Sequence, residues 1–294
     1  MNNNVRMSQL TRGLVAVAIV GSGLATYHNE AVAAISASRH NLSATAGNGN
    51  RTTGAGSEIC VFCHTPHGAD VSVAGAPLWN KRFTSGFGAA FTPYVATTTL
   101  DGAFATDGTG TGGFLSGASL ACLSCHDGTQ AIDNLLNAPG SGGIDAIGGD
   151  SGGRAFVWTL GNNSNLNAAG YLSGNANLGK DLSNDHPIGI RYCGGGPVVS
   201  APGTACADPD FVSPSSATIG TTTQFWVNTT GAGGGTGNQR EKFDMLLYNR
   251  NFAAGGSGPS VECASCHDVH SSSTLFLRMG SNNSSQICLA CHVK

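Results

Sequence analysis

Near the end of the chain, two copies of a Cys-x-x-Cys-His motif lie close together, at residues 263–267 and 288–292. Two thiols that are one turn apart can each form a thioether with a vinyl group on one edge of a porphyrin. The His that follows can swing beneath the ring and ligate its iron. The spacing is therefore that of a c-type haem attachment site. Because little chain separates the two copies, we expect the groups that they bind to lie against each other.

Two further copies occur upstream, at residues 60–64 and 122–126. With 10 Cys and 9 His in 294 residues, roughly 0.01 matches to the pattern are expected by chance. We therefore predict four covalently bound c-type haems, and we number the sites motifs 1 to 4 in chain order. The predicted thioether residues are Cys60, Cys63, Cys122, Cys125, Cys263, Cys266, Cys288 and Cys291. The predicted proximal iron ligands are His64, His126, His267 and His292.

Two other uses of paired cysteines explain the pattern less well. Four Cys-x-x-Cys pairs could form two zinc sites of four thiolates each, but the His after every second Cys would then have no role. A thioredoxin-like redox motif requires a βαβ setting and occurs once per domain. Haem attachment gives a role to every fixed position of the motif.

The N-terminal residues 1–33 have the pattern of a secretory signal peptide. Two Arg provide a positive region, residues 13–25 an apolar segment, and residues 31–33 a small-residue cleavage site. A membrane anchor is the alternative, but this apolar segment is shorter than the about 20 residues that a spanning helix needs. We therefore expect an exported protein without a membrane span.

The composition indicates what surrounds the haems. Gly accounts for 44 of 294 residues, about twice its ordinary usage, and charged residues for only 11%. Such a chain loses much entropy on folding and has few large aliphatic side chains to offset the loss. We predict a mostly irregular, coil-rich multihaem fold with haems as its core, short α-helices at the motifs and a few short β-strands. The formal net charge of −3, without a basic cluster, predicts no nucleic-acid partner.

We expect a single tetrahaem domain over residues 34–294. Residues 34–136 would hold the haems of motifs 1 and 2, and residues 259–294 those of motifs 3 and 4. Residues 137–258 between them form a Gly-rich insert with little resemblance to a haem-binding segment.

The insert contains patterns of its own. The segments RAFVWTL, IGIRY and QFWVN favour short β-strands, so a small antiparallel sheet is possible, whereas KFDMLLYN fits one or two helical turns. Two Cys remain outside the motifs, Cys193 and Cys206, both in one Gly/Pro-rich stretch. In an exported protein, a structural disulfide between them is expected.

The number of histidines predicts the remaining axial ligands. Of nine His, His28 falls in the predicted signal peptide and four are proximal ligands. The four that remain are His40, His67, His186 and His270. Four irons need four distal ligands, so the match predicts two His on every iron. Met245 or Met279 as a ligand, and an iron with an open sixth position, are the alternatives.

Two of the spare His, His67 and His270, each lie three residues after the proximal His of a motif. If the motif helix continued, the second His would rise only about 4.5 Å along the same face. It could not reach the opposite side of the porphyrin held by its own motif, so we expect it to ligate another haem. Cross-ligation would bring porphyrins into near contact. Closely spaced irons with no vacant site predict an electron-transfer protein and not an enzyme.

The segments CVFCHTPH, CLSCHDGT, NDHPIG, CASCHDVH and CLACH, preceded by SRHNLS, resemble those of multihaem c-type cytochromes with paired motifs. More narrowly, the set is similar to the tetrahaem extracellular cytochromes that polymerise into filaments, the OmcE-like cytochrome nanowires. The resemblance covers the haem-binding segments and not the Gly-rich insert. It implies a head-to-tail polymer with haems along its axis, in which the adjacent subunit supplies one axial His. The matching donor here would be His67, or failing that His40.

A head-to-tail contact of this kind does not close and generates a fibre. The resemblance implies long-range electron transfer to other redox proteins or to extracellular acceptors such as minerals, electrodes or partner cells. The implied location is the cell surface or the extracellular space. A monomeric periplasmic or cell-surface electron shuttle with the same haems is one alternative, and a multihaem reductase with one open iron is another.

Overall fold

The computed structural model describes residues 35–46, 51–52, 56–83, 91–95, 100–108, 113–137, 139, 158–159, 165–194, 205–229, 239–254 and 256–293. The predicted signal peptide, residues 1–33, lies outside this part of the chain. Most described residues are in coil and turns, which confirms the coil-rich fold predicted from composition. No helix among the described residues has the length and apolar character needed to cross a membrane.

Short strands form two antiparallel arrangements. The strands are β1 Arg51–Thr52, β2 Trp158–Thr159, β3 Ile190–Arg191, β4 Ser215–Ile219, β5 Thr222–Val227, β6 Met245–Phe252 and β7 Gly256–Val261. β1 pairs with β2, and the other five form one sheet in the order β3-β7-β6-β5-β4. The predicted strands in IGIRY and QFWVN are confirmed as β3 and β5. Of RAFVWTL, only β2 lies in the described residues.

The prediction of helical turns in KFDMLLYN is wrong, because this segment enters strand β6. Met245 and Leu247 are buried on one face of the strand, and Leu246 between them is more exposed. This alternation is the two-residue period of a strand. β6 also pairs on both sides, with β5 and β7. Pairing and burial therefore override the helix propensity of Met and Leu, which is a weak preference.

The helix α1, Gly117–His126, contains motif 2. It begins after Ser116, whose side-chain oxygen accepts a hydrogen bond from the Ser119 N–H over 3.3 Å. Ser is a favoured N-cap because it satisfies a free N–H of the first turn. Gly128, just beyond the end of the helix, has a φ of +69°, a left-handed conformation that glycine adopts without a steric penalty.

Helices at the other motifs are shorter than predicted. α2 Cys263–Cys266 covers most of motif 3, and α3 Gln286–Leu289 ends before the second Cys of motif 4. The prediction of an α-helix is wrong for motif 1, where only a 3-10 turn, Cys60–Phe62, forms. Other 3-10 turns are Gly174–Ala176, Thr274–Phe276 and Asn283–Ser285. Motifs 1 and 3 leave the helical conformation because remote segments pair with the backbone at their His.

Hydrophobic side chains of the described residues form clusters beside the motifs. One cluster, around α1 and motif 2, contains Val73, Phe91, Phe114, Leu115, Leu120, Leu123 and Leu182. A second, between the sheet and motif 4, contains Tyr192, Cys193, Phe225, Val227, Met245 and Leu247. A third joins Phe62 of motif 1 to Leu135. The protein therefore supplies apolar packing of its own, and a core made mainly of haem stays a prediction.

Candidate haem-attachment sites

Each motif makes one turn that brings its two Cys and its His together. The His N–H donates to the carbonyl of the first Cys, over 2.8 Å in motif 1, 3.2 Å in motif 3 and 2.9 Å in motif 4. In motif 2 the same residues form the last turns of α1. None of these eight Cys forms a disulfide. Thiols on one turn, followed by His, are the arrangement that attachment of a porphyrin requires.

A remote segment pairs with the backbone at the His of every motif. We refer to these segments as the clips of motifs 1 to 4, which are residues 77–79, 176–178, 275–277 and 210–212 respectively. Isolated β-bridges join His64 to Trp79, His267 to Leu277 and His292 to Phe211, and the Leu178 N–H donates to the His126 carbonyl over 2.7 Å. The clips therefore hold each motif on the side of its His.

Three clips also orient the imidazole ring. Nδ1 lies 2.9 Å from the Pro77 carbonyl in His64, 2.8 Å from that of Ala176 in His126, and 2.9 Å from that of Leu275 in His267. A carbonyl oxygen only accepts, so Nδ1 must carry the proton and Nε2 must carry the lone pair. This is the tautomer that binds a metal through Nε2. The ring of His292 packs against Phe211, with centroids 4.7 Å apart.

Apolar side chains of the clips lie at the surface beside these rings. Leu78 and Leu275 are 56% and 72% exposed, and their φ values of 50° and 56° are left-handed. Leu178 of the clip of motif 2 is 41% exposed. A branched residue in this conformation is strained, and such strain is concentrated at functional sites. The free Nε2 atoms and the exposed leucines fit an apolar, iron-containing group such as haem.

Two of the spare His lie close to a proximal His. Ring centroids are 6.4 Å apart between His64 and His270, and 6.2 Å apart between His126 and His40. With metal–nitrogen bonds of about 2.0 Å, two imidazoles on opposite sides of one iron have centroids roughly 6 Å apart. Burial lowers the pKa of His40 to about 4 and also lowers that of His126. Both rings are therefore neutral at pH 7, the form that binds metal.

The helical premise used for His67 and His270 is wrong. His267 has φ −107° and ψ 142°, which is extended, and the turn of motif 1 ends at Phe62. His270 nevertheless lies beside the proximal His of a different motif. After motifs 1 and 3 the chain returns so that Trp79 and Leu277 pair with His64 and His267. Sequence spacing therefore does not set the position of the second His.

The other two spare His, His67 and His186, are exposed. Among the described residues, neither has a ring contact with another His. The His67 carbonyl accepts from Thr65 Oγ1 and from Asn137 Nδ2, both over 2.8 Å, so its backbone is fixed. Nδ1 of His186 lies 3.0 Å from the Pro187 carbonyl, which again leaves the lone pair on Nε2.

Thiols of successive motifs are neighbours. Burial raises the pKa of Cys63 to about 12, and the Cys125 thiol of motif 2 adds to the rise. The neighbouring Cys263 thiol of motif 3 raises the pKa of Cys122. Burial raises the pKa of Cys266 to about 12, and the thiols of motif 4 contribute. Motifs 1, 2, 3 and 4 therefore follow one another in space.

A buried charge network joins motif 2 to motif 3. Glu262, at the start of α2, accepts from Ser119 Oγ of α1 over 2.6 Å and pairs with Arg250 Nη1. Ser119 Oγ accepts from the Cys263 N–H over 3.1 Å. Arg250 Nε pairs with Asp107 Oδ1 at 2.7 Å. Because Glu262 and Arg250 are buried, the network fixes α1 against α2.

The Gly-rich insert contributes more to the motifs than its sequence indicates. It supplies the clips of motifs 2 and 4, and β6 packs against α2. Tyr192 Oη donates to the carbonyls of Val212 and Cys291, over 2.8 and 3.2 Å. A disulfide joins Cys193 to Cys206 beside this contact. Clips contact the motifs through backbone N–H and carbonyl groups, so no residue type identifies them in a sequence.

The comparison with known families agrees with this geometry. Residues 257–294 match a family described as the doubled CXXCH motif, and this region contains motifs 3 and 4. Doubled motifs of this kind indicate covalently attached c-type haem and a multihaem c-type cytochrome. No curated protein matches the chain.

Proposed function

We propose that the chain is an exported cytochrome with four covalent haems that transfers electrons over long distances and is not an enzyme. The observation that supports this most strongly is that three proximal His donate Nδ1–H to carbonyls, so that Nε2 is available to iron. When bound, haem supplies an iron that gains and loses single electrons. The order of the motifs in space provides a path from one site to the next.

In this proposal, two His bind each iron. Ring separations favour His270 as the partner of His64, and His40 as the partner of His126. We assign His186 to the haem of motif 3, because the Gly189 N–H donates to the Val261 carbonyl over 2.7 Å. That contact brings the segment after His186 to the start of motif 3.

The proximal ligand of motif 4, His292, then needs a distal partner from another subunit. Motif 4 is at one end of the series of motifs, and motif 1, followed by His67, is at the other. In a head-to-tail polymer, His67 of one subunit would therefore meet motif 4 of the next. Its exposure and its fixed backbone suit this role. A heterologous contact that does not close repeats into a filament.

Export and an extracellular location follow from the predicted signal peptide and from the resemblance to filament-forming cytochromes. The partners would be other copies of the chain, redox proteins and extracellular electron acceptors.

Electron microscopy of the purified holoprotein tests the polymer. We expect fibres from the wild type, and haem-loaded monomers from His67→Ala, which lacks the bridging ligand. Val71→Ala, which changes a side chain that is 89% exposed in the same loop, should still form fibres. Fibres from His67→Ala would rule out the bridge. A wild type that forms none at any concentration would indicate the monomeric shuttle.

Binding of carbon monoxide tests whether the protein only transfers electrons or has an open iron, as a reductase would. With two His on every iron, wild-type fibres should show no spectral change on addition of the gas. His67→Ala monomers should bind about one molecule per chain, at motif 4. Carbon monoxide binding to an iron within intact fibres would instead support the reductase.

A further inference from the structure

Lys81 is a fully buried cation near motifs 1 and 2. Its relative exposure is 0%. Nζ donates to the carbonyls of Ala131 and Asn134, over 2.9 and 3.2 Å. Within the described part of the chain, no carboxylate forms an ion pair with it. Two neutral carbonyl oxygens therefore hold the ammonium away from water.

Two observations place this charge beside the attachment sites. The preceding residue, Asn80, is paired with motif 1, because its N–H donates to the Cys63 carbonyl over 2.9 Å. Trp79, two residues before Lys81, donates its Nε1–H to Ser124 Oγ of motif 2 over 3.1 Å. Lys81 therefore lies between motif 1 and motif 2.

The acidic groups around Lys81 lie farther from it than the carbonyls. The Asp127 carboxylate, after α1, accepts from the Thr129 N–H and from Thr129 Oγ1, over 2.9 and 2.7 Å. Asp133 is buried two residues beyond Ala131. Beside motif 3, Glu262 and Asp107 pair with Arg250, and Arg278 Nε donates to the Ala264 carbonyl over 2.9 Å.

We propose that the buried ammonium of Lys81 raises the reduction potentials of the haems at motifs 1 and 2. The inference rests on the proposed haem sites. Reduction adds one negative charge to a haem, and a nearby cation stabilises the reduced form. Burial keeps salt from screening the interaction. Removal of this charge should therefore make the haems at motifs 1 and 2 harder to reduce.

A potentiometric titration of the holoprotein tests this, with Lys81→Met compared with Lys242→Met. Met retains most of the apolar stem without the charge, and the exposed Lys242 provides a matched loss of charge at the surface. At an effective dielectric constant of about 20, a unit charge at a distance on the order of ten ångströms changes an equilibrium about tenfold. We expect two of the four haems to become about tenfold harder to reduce, which is about 59 mV. Lys242→Met should titrate like the wild type.

A second variant and a salt series make the result decisive. Lys81→Gln keeps amide donors for the carbonyls of Ala131 and Asn134 but is neutral, so it should give the same shift. The difference from the wild type should persist in about 1 M salt, where the Debye length is about 3 Å. An unchanged curve, an upward shift, or variants that never load haem at motifs 1 and 2 would each overturn the proposal.

Mass spectrometry of the same samples counts the haems in the wild type. Fewer than four in the wild type would contradict the proposed function itself, whatever the titrations of the variants show.

Discussion

The hydrogen bond between Nδ1 and a carbonyl determines what each proximal His can do. In His64, His126 and His267 it fixes the tautomer and the direction in which Nε2 points. A donor bond of this kind also raises the basicity of the ligating nitrogen. The clips of motifs 1, 2 and 3 therefore orient the candidate ligands before any iron is bound, and their carbonyls are part of these three sites.

If His64 and His270 ligate the same iron, the effects of removing them should not add. His64→Ala and His270→Ala should each leave one iron of four with an open position, and the double variant should still affect only that haem. The thioethers should retain all four haems. Titration with carbon monoxide and magnetic resonance of high-spin iron would measure the number of open sites.

A His270→Ala/His40→Ala variant is the matched control, because the two His belong to different pairs and should open two irons. Two open irons in the His64→Ala/His270→Ala variant would contradict the pairing.

The candidate attachment residues stand out in the sequence because a thioether site requires Cys, Cys and His at fixed spacing. The positions of the four spare His do not follow from the sequence. His40 precedes motif 1, yet its ring lies beside His126 and stacks on Phe276 at 4.4 Å. Contacts between residues so far apart in the chain depend on the backbone path that the clips impose.

Nothing in the sequence marks Lys81 as buried or functional, apart from the small number of charged residues in the chain.

The segment predicted to form helical turns is strand β6. Its residues have good helix propensity, but their two-residue burial pattern and two paired neighbours require a strand. Short apolar runs cannot be assigned by periodicity alone. QFWVN was assigned correctly as β5 because its aromatic and β-branched residues favour a strand, although three consecutive residues are buried.

Adjacent leucines of β6 give a test of this element. Leu247 is 3% exposed and faces the cluster beside motif 4. Leu247→Ala should lower the free energy of unfolding by about 2–5 kcal/mol, through lost burial and a residual cavity. Leu246→Ala, on the opposite face, should cost clearly less. Urea denaturation followed by circular dichroism measures both, and equal losses would argue against the strand.

The network between α1 and α2 should be sensitive to the loss of its cation. Arg250→Met leaves Glu262 buried without its charged partner, which should destabilise the protein by about 3–5 kcal/mol. Adding Glu262→Gln removes the unpaired charge and should recover part of the loss. The same urea titration measures this. If the loss of unfolding free energy in the double variant equals the sum of the losses in the two single variants, the two side chains are not coupled.

At the scale of the whole molecule, the Gly-rich insert positions the Cys-x-x-Cys-His motifs. It supplies two clips and the sheet, and its disulfide lies next to the contact between Tyr192 and motif 4. Composition predicted its irregular backbone but not this role, since the contacts use backbone atoms.

The disulfide should stabilise the fold without affecting haem attachment. It closes a loop with a sequence separation of 13, for which the loss of unfolded-state entropy is worth about 3 kcal/mol. The double variant Cys193→Ser/Cys206→Ser should unfold at lower urea and still carry four haems. Loss of the haem at motif 4 in this variant would show that the bond is needed to form the site.

Mass spectrometry of the exported holoprotein tests most directly whether four motifs hold four haems. We predict four covalently added porphyrins per chain, with peptides linked at the Cys pairs of motifs 1 to 4. Fewer than four porphyrins in the fully processed protein, or a motif whose two thiols remain free, would contradict the account.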